Sequence, residues 1–280
     1  MIRLFFKKLL DFCKKNIIWT IALGLALAVF LTSAIALLVH VMPQKNKYEE
    51  FVNMEQIKIP EIDSVSSDVS SDGTVTSSKP SEPIINPVDF EALKAKNPNV
   101  CGWLVVEGTP INYPILRSGA DMAEDFYLDH DLSNVEKKQG SIYVRRVNSG
   151  DFSDSNTIIY GHNMLNGSMF GTLKRFRDAN FFNENDDILI YLPDRVLKYK
   201  IYSSVLFDDR DLAVSYNFHM ARGMEAYIEA VTNPPSNVKN VRKDLKPSVD
   251  DKLITLSTCT SNDPERYLVV GVLIGEIGTK

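Results

Sequence analysis

Leu253-Ile254-Thr255-Leu256-Ser257-Thr258-Cys259 is an apolar, β-branched run that ends on a cysteine, and the polar stretch Thr260-Ser261-Asn262-Asp263-Pro264-Glu265 follows it. A second apolar run, Arg266-Tyr267-Leu268-Val269-Val270-Gly271-Val272-Leu273-Ile274, begins at once. Two such runs around a short loop carrying Asn-Asp-Pro predict an antiparallel hairpin. The end of one strand then lies beside the start of the next, where directly opposed Cβ atoms are about 5 Å apart. Cys259 and Arg266 are therefore predicted to face one site. A guanidinium stays charged at any working pH, and positive charge nearby favours thiolate over thiol. A small core cysteine beside a surface arginine would give the same spacing, so the hairpin alone leaves both readings open.

The 280 residues suit one or two domains, and a composition of 44% hydrophobic and 24% charged residues is that of a globular protein. A net charge of −5 gives no hint of nucleic-acid binding. The N-terminus departs from this pattern. Arg3, Lys7, Lys8, Lys14 and Lys15 precede a stretch from Ile17 to Val39 without a charge. As a helix it would be about 35 Å long, enough to cross a hydrocarbon core of roughly 30 Å. The expected organisation is a basic cytoplasmic N-terminus (1–16), a transmembrane anchor (17–42), a flexible Ser/Asp/Pro-rich tether (43–86) and a folded domain (87–280). Basic residues on the near side place that domain outside the cell. A cleavable signal peptide is the rival reading, since Ala34-Ile35-Ala36 resembles a cleavage site. The apolar stretch, however, exceeds the roughly 7–15 residues of a signal core. The tether is too polar to offset its ordering entropy by burial.

Within the folded domain, strands are predicted over 102–106, 111–116, 141–144, 157–160, 188–192, 197–207, 253–259 and 266–277. A short helix is expected from Asp89 to Lys96, ended by Asn97-Pro98. A longer one carries Met220, Met224, Tyr227, Ile228 and Val231 at helical spacing, with the apolar stripe facing the core. This is a mostly β chain of about eight strands with few helices, which implies a closed or nearly closed barrel, with a sandwich as the alternative.

Of the three cysteines, Cys13 falls on the cytoplasmic side and Cys101 sits in a core-like setting beside Gly102-Trp103-Leu104. Cys101 and Cys259 could pair, but disulfide-stabilised exported domains carry a denser, even set. Metal-binding spacings such as CxxC and HExxH are missing, so neither a metal nor another cofactor is expected. Of the four histidines, His40 lies at the membrane boundary and His219 near a helix start. His162 follows the apolar run Asn156-Thr157-Ile158-Ile159-Tyr160 and a glycine, which presents its imidazole at a strand end. It is a plausible partner for Cys259: as imidazolium it favours thiolate, and as an acid it can protonate a leaving amine. Spacing alone leaves a purely structural histidine equally open.

Tyr160-Gly161-His162-Asn163-Met164, Gly167-Ser168-Met169-Phe170-Gly171, Thr255-Leu256-Ser257-Thr258-Cys259 and Arg266 together resemble the class B sortases. Asn97-Pro98-Asn99-Val100-Cys101-Gly102-Trp103-Leu104, Asn112-Tyr113-Pro114, Phe126-Tyr127-Leu128-Asp129-His130-Asp131 and Gly140-Ser141-Ile142-Tyr143 match in the same order. The likeness spans roughly residues 88–277 and implies an eight-stranded sortase β-barrel with a Cys–His–Arg site. Cys259 would be the nucleophile, His162 the general acid/base, and Arg266 the group holding substrate and oxyanion. His130 is the alternative base, although in the family it belongs to a structural stretch. The implied activity is a membrane-anchored transpeptidase. It would cut the sorting signal of exported proteins through a thioester and transfer them to a cell-wall amine. A pilin-polymerising sortase that uses a lysine amine, a catalytically silent binding domain on the same scaffold, and a papain-like protease are the alternatives. The sorting motif would be set by the loops 208–217 and 260–265.

Overall fold

The computed structural model describes residues 16–41, 83–259 and 265–280. The basic N-terminus and nearly all of the tether lie outside the described residues. The chain divides into two compact units, Met1–Gln44 and Lys45–Lys280. In the first, helix α1 runs over Ile17–Val41. Ile18, Leu25, Val29, Phe30 and Ile35 are each more than half exposed on it. Several of its other side chains lie outside the described ones, and among the described residues no helix is long and apolar enough to cross a membrane.

Among the described residues the second unit has nine strands: β1 Val100–Val106, β2 Asn112–Arg117, β3 Ile142–Val144, β4 Asn156–Tyr160, β5 Asp187–Tyr191, β6 Arg195–Asp208, β7 Lys239–Val241, β8 Leu253–Cys259 and β9 Glu265–Gly278. Their order is β5-β1-β2-β3-β4-β8-β9-β6-β7, and a further β5–β6 pairing closes the first eight into a barrel. All eight predicted strands are present. The ninth, β7, hangs on the second half of β6, pairing at Ser203–Val205, whereas β5 uses Val196–Lys200. With three residues and no buried side chain, β7 carries no apolar alternation that a sequence could display.

Helix α2 (Phe90–Lys96) begins where the Asp89 side chain accepts from Ala92 N at 2.9 Å, and it ends at Asn97 as expected. Asn97 is fully buried, and its Nδ2 lies 3.0 Å from each of Tyr127 Oη, Leu132 O and Asn134 Oδ1. The short helices α3 (Ala179–Glu184) and α4 (Leu212–Ser215) are capped by Asp178 and Asp211. Helix α5 (Ala221–Thr232) buries Met224, Tyr227 and Val231 against the outer face of the sheet beside Ile158, Tyr202, Leu268 and Val270. Three of the five predicted stripe residues thus face the core, each contributing about 1.5–3 kcal/mol, while Ile228 is partly buried and Met220, at the N-cap, is exposed. Tyr227 Oη also lies 2.7 Å from Thr255 Oγ1, which donates to Asn156 Oδ1 at 3.0 Å, so the helix is registered against both β8 and β4.

Replacing Asn97 by Ala strands buried polar groups around Tyr127, at a cost of about 2–3 kcal/mol. For a domain of this size that is a fall in Tm of about 4–12 °C, to be read by calorimetry, with Asn97→Asp as a comparison that keeps the side-chain shape.

Candidate active site

The site is made by two strand pairings that share β8. Strand β8 runs parallel to β4, with Ile158 opposite Thr255 and Tyr160 opposite Ser257. It runs antiparallel to β9, with Thr258 opposite Tyr267 and Cys259 opposite Arg266. The predicted hairpin is thus the observed one, and its backbone brings Cys259 and Arg266 face to face. The parallel ladder continues past the end of β4: Gly161 N donates to Ser257 O at 3.3 Å, and Thr258 Oγ1 donates to Gly161 O at 2.7 Å. Thr258 is 5% exposed, so this second bond is shielded from water. It fixes the residue before His162 against the residue before Cys259.

Beyond His162 the chain is held as tightly. Phe170 N donates to His162 O at 3.0 Å, and Asn163 bridges Met169. A Cβ on Gly171 would lie 2.2 Å from Met164 O, so only glycine permits this close turn. The His162 ring is oriented by a backbone group: its Nε2 lies 2.8 Å from Leu128 O, in the 3₁₀ turn η1 (Phe126–Leu128).

His162 and Arg266 line one cleft of about 170 Å³ together with Tyr160, Thr258, Arg145 and Asp209. Arg145 donates to Asp211 Oδ2 at 2.5 Å and lies 4.9 Å from the centre of the Tyr160 ring, linking the β3 side of the cleft to the loop after β6. Arg210 pairs with Asp208 at 2.6 Å in that loop. Burial pushes the Tyr160 phenol up to about 12, against the opposing pull of Arg145, so it stays a neutral hydroxyl in the cleft. This wall is acidic and basic at once, and it can address both a peptide backbone and a cationic amine. Three of its members, Thr258, Arg145 and the Leu128 carbonyl, were not anticipated as site residues. Arg145 gave no spacing signal, Thr258 entered only as a member of the Thr255–Cys259 motif, and a carbonyl has no sequence identity at all.

His130 does not line this cleft. Its Nδ1 lies 2.9 Å from Phe126 O and 2.6 Å from Asp129 Oδ1, and its ring stacks on Phe126. His219 lines a different cavity, beside Asn217 and Phe218. Cys101 is a free thiol that donates to Ile115 O at 3.4 Å, and burial pushes it up to about 12 despite Arg117 nearby. It fits the core role expected of it. Among the described residues one carboxylate trio, Glu107, Asp186 and Asp187, is close enough to share a cation. Lys198 and Lys200 already pair with Asp187 and Asp186 at 2.9 and 3.0 Å, and none of the three faces the cleft.

The Sortase domain family model matches residues 104–274. Sortase B of Listeria monocytogenes is 33% identical over 195 residues, covering 66% of this chain and 74% of the relative. Sortase B of Staphylococcus aureus is 25% identical over 190 residues, with the same coverage. Among solved structures, Clostridium perfringens sortase B superposes with a TM-score of 0.59 at 32% identity, over 66% of this chain and all of the other. A Staphylococcus aureus sortase B–substrate complex gives 0.58 at 25% identity, over 66% and 84%.

Two outcomes are expected. Thr258→Val should cost about 1–2 kcal/mol of stability, the range for a lost shielded hydrogen bond, and lower the rate of any reaction that uses His162 and Cys259 together more than it weakens substrate binding. Cys101 should resist iodoacetamide at pH 8 in the folded protein and react once the protein is denatured, as followed by mass spectrometry. Its raised folded value means that it favours the fold below the ordinary thiol pKa and loses that advantage as pH climbs from about 9 toward 12.

Proposed function

Because the chain belongs to the sortase family, as a class B member and a cysteine transpeptidase, we propose that it is anchored in the membrane by the apolar stretch 17–42 and works outside the cell. It would join exported proteins that bear a sorting signal to a cell-wall amine. The observation that carries the site assignment is the register that sets Cys259 against Arg266 while Thr258 holds the turn leading to His162. The solved complex of a Staphylococcus aureus relative with its substrate supports a peptide sorting signal as the donor.

In this reading Cys259 attacks the scissile carbonyl as thiolate. The S–C bond forms as the C–N bond breaks, and His162, as imidazolium, gives its proton to the departing amine. Arg266 stabilises the oxyanion; removing one such donor typically costs about 10²–10³ in rate. An incoming amine then gives its proton to His162 and attacks the thioester, which releases the thiolate. Water competes at this step, so transfer depends on holding the amine in place. Class B members are not typically pilin-polymerising, which favours a wall amine over a pilin lysine as acceptor.

The anchor is supported by the sequence and by the form of α1. Its described apolar side chains point outward at neighbouring positions such as Val29, Phe30 and Leu31, so no single face could bury them. Thr32 donates its hydroxyl to the carbonyls of Ala28 and Val29 within its own helix, which suits a surrounding without water. Positive charge at residues 3–15 then sets the N-terminus in the cytoplasm.

The full chain in detergent micelles, mixed with a panel of sorting-signal peptides, should give a mass adduct on Cys259 that an added amine resolves into a ligated product. Cys259→Ala should form no adduct and Arg266→Ala should slow its formation by about 10² or more. An undiminished adduct yield from Cys259→Ala would exclude that residue as the nucleophile.

A further inference from the structure

The backbone from Phe126 to His130 presents five consecutive carbonyls, and four of them are engaged close by. Phe126 O accepts from His130 Nδ1 at 2.9 Å, and Tyr127 O from Ser141 N at 2.9 Å. Asp129 O accepts from Lys137 N at 2.7 Å, and His130 O from Ser141 Oγ at 2.8 Å. The carbonyl between them, Leu128 O, reaches across the cleft wall to His162 Nε2 at 2.8 Å. It is confined from behind as well. A Cβ on Gly140, where φ is +53°, would lie 2.0 Å from Leu128 O, so the chain there packs directly onto the carbonyl.

A carbonyl oxygen has no proton to give, so the nitrogen facing it must carry one. In neutral imidazole the lone pair is then left on the other nitrogen. His130 closes the arrangement. Its Nδ1 faces two acceptors, Phe126 O and Asp129 Oδ1, and so donates, while its ring lies 3.8 Å from that of Phe126 at 17°. It ties down η1 at its first residue, Phe126, while His162 meets the carbonyl of its last, Leu128.

We propose that Leu128 O, braced by His130, holds His162 as an Nε2–H donor, which assigns proton transfer with the substrate to Nδ1 of His162 and makes His130 a positioning residue. The proton accepted from the incoming amine and given to the leaving amine resides on Nδ1 in both steps, while Nε2 keeps its own proton throughout. This rests on the transpeptidase reading for the reaction, but the hydrogen bond can be tested without turnover.

The test uses the full chain in micelles with ¹⁵N-labelled histidine. His130→Phe keeps a ring against Phe126 and removes the donor, while His130→Asn offers an amide N–H near the position of Nδ1. In the wild type, the His162 Nε2–H should be resolved by NMR as a slowly exchanging proton, with Nδ1 unprotonated in the neutral form. His130→Phe should lose that signal and lower kcat for peptide cleavage about ten-fold, part of the 10²–10⁴ that general acid–base catalysis contributes, with KM within about two-fold. His130→Asn should recover both. A protonated Nδ1 in neutral wild-type His162 would overturn the assignment. So would a His130→Phe protein that keeps both the signal and kcat, or loses activity only in proportion to unfolded protein. If the wild type forms no adduct on Cys259, the transpeptidase reading fails, and the NMR result still decides the hydrogen bond.

Discussion

The site depends on the parallel pairing of β4 with β8. An antiparallel neighbour can be added by a tight turn, and β9, next in the chain, pairs antiparallel with β8. A parallel neighbour needs a long crossover, and here nearly a hundred residues separate Ile158 from Thr255, which sit side by side. That one non-local pairing brings the residue before His162 against the residue before Cys259. The last bond of the ladder, from Thr258 to Gly161, is made by a side chain where the regular backbone pairing gives out. Because it is buried, it holds the two chain ends in a fixed relation instead of letting both fray into solvent.

The barrel and the site were legible in the sequence to different depths. Strands such as Leu253–Cys259 and Arg195–Asp208 carry dense β-branched and aromatic residues because both their faces are covered, and they stand out in any reading. The Cys259–Arg266 register followed from loop length alone. β7 left no trace because its pairing is carried by the backbone of Lys239–Val241. The helices α3 and α4 are too short for a periodic stripe, although the capping residues Asp178 and Asp211 were there to be noticed. What could not be read is the support around His162. It consists of the Leu128 carbonyl and the close approach of Gly140, both properties of the main chain that any residue at position 128 would share.

The two cysteines of the folded domain occupy different places in the sheet. Cys101 lies within β1, half-buried against the core and bonded to a carbonyl, and desolvation pushes its thiol up to about 12. Cys259 is the last residue of β8 and pairs with Arg266 of β9, and Arg266 lines the charged cleft.

The divided use of β6 separates two tasks that are usually entangled in a closed sheet. Its first half closes the barrel with β5, while its second half bears β7 and leads into the loop at Asp208–Asp211. Residues 209–238, with α4 and α5, thus form an inserted cassette attached beyond the seam. One wall of the cleft, Asp208–Leu212, therefore hangs on a connection that lies past the seam, whereas Tyr160, Thr258 and Arg266 come from strands inside the closed cylinder.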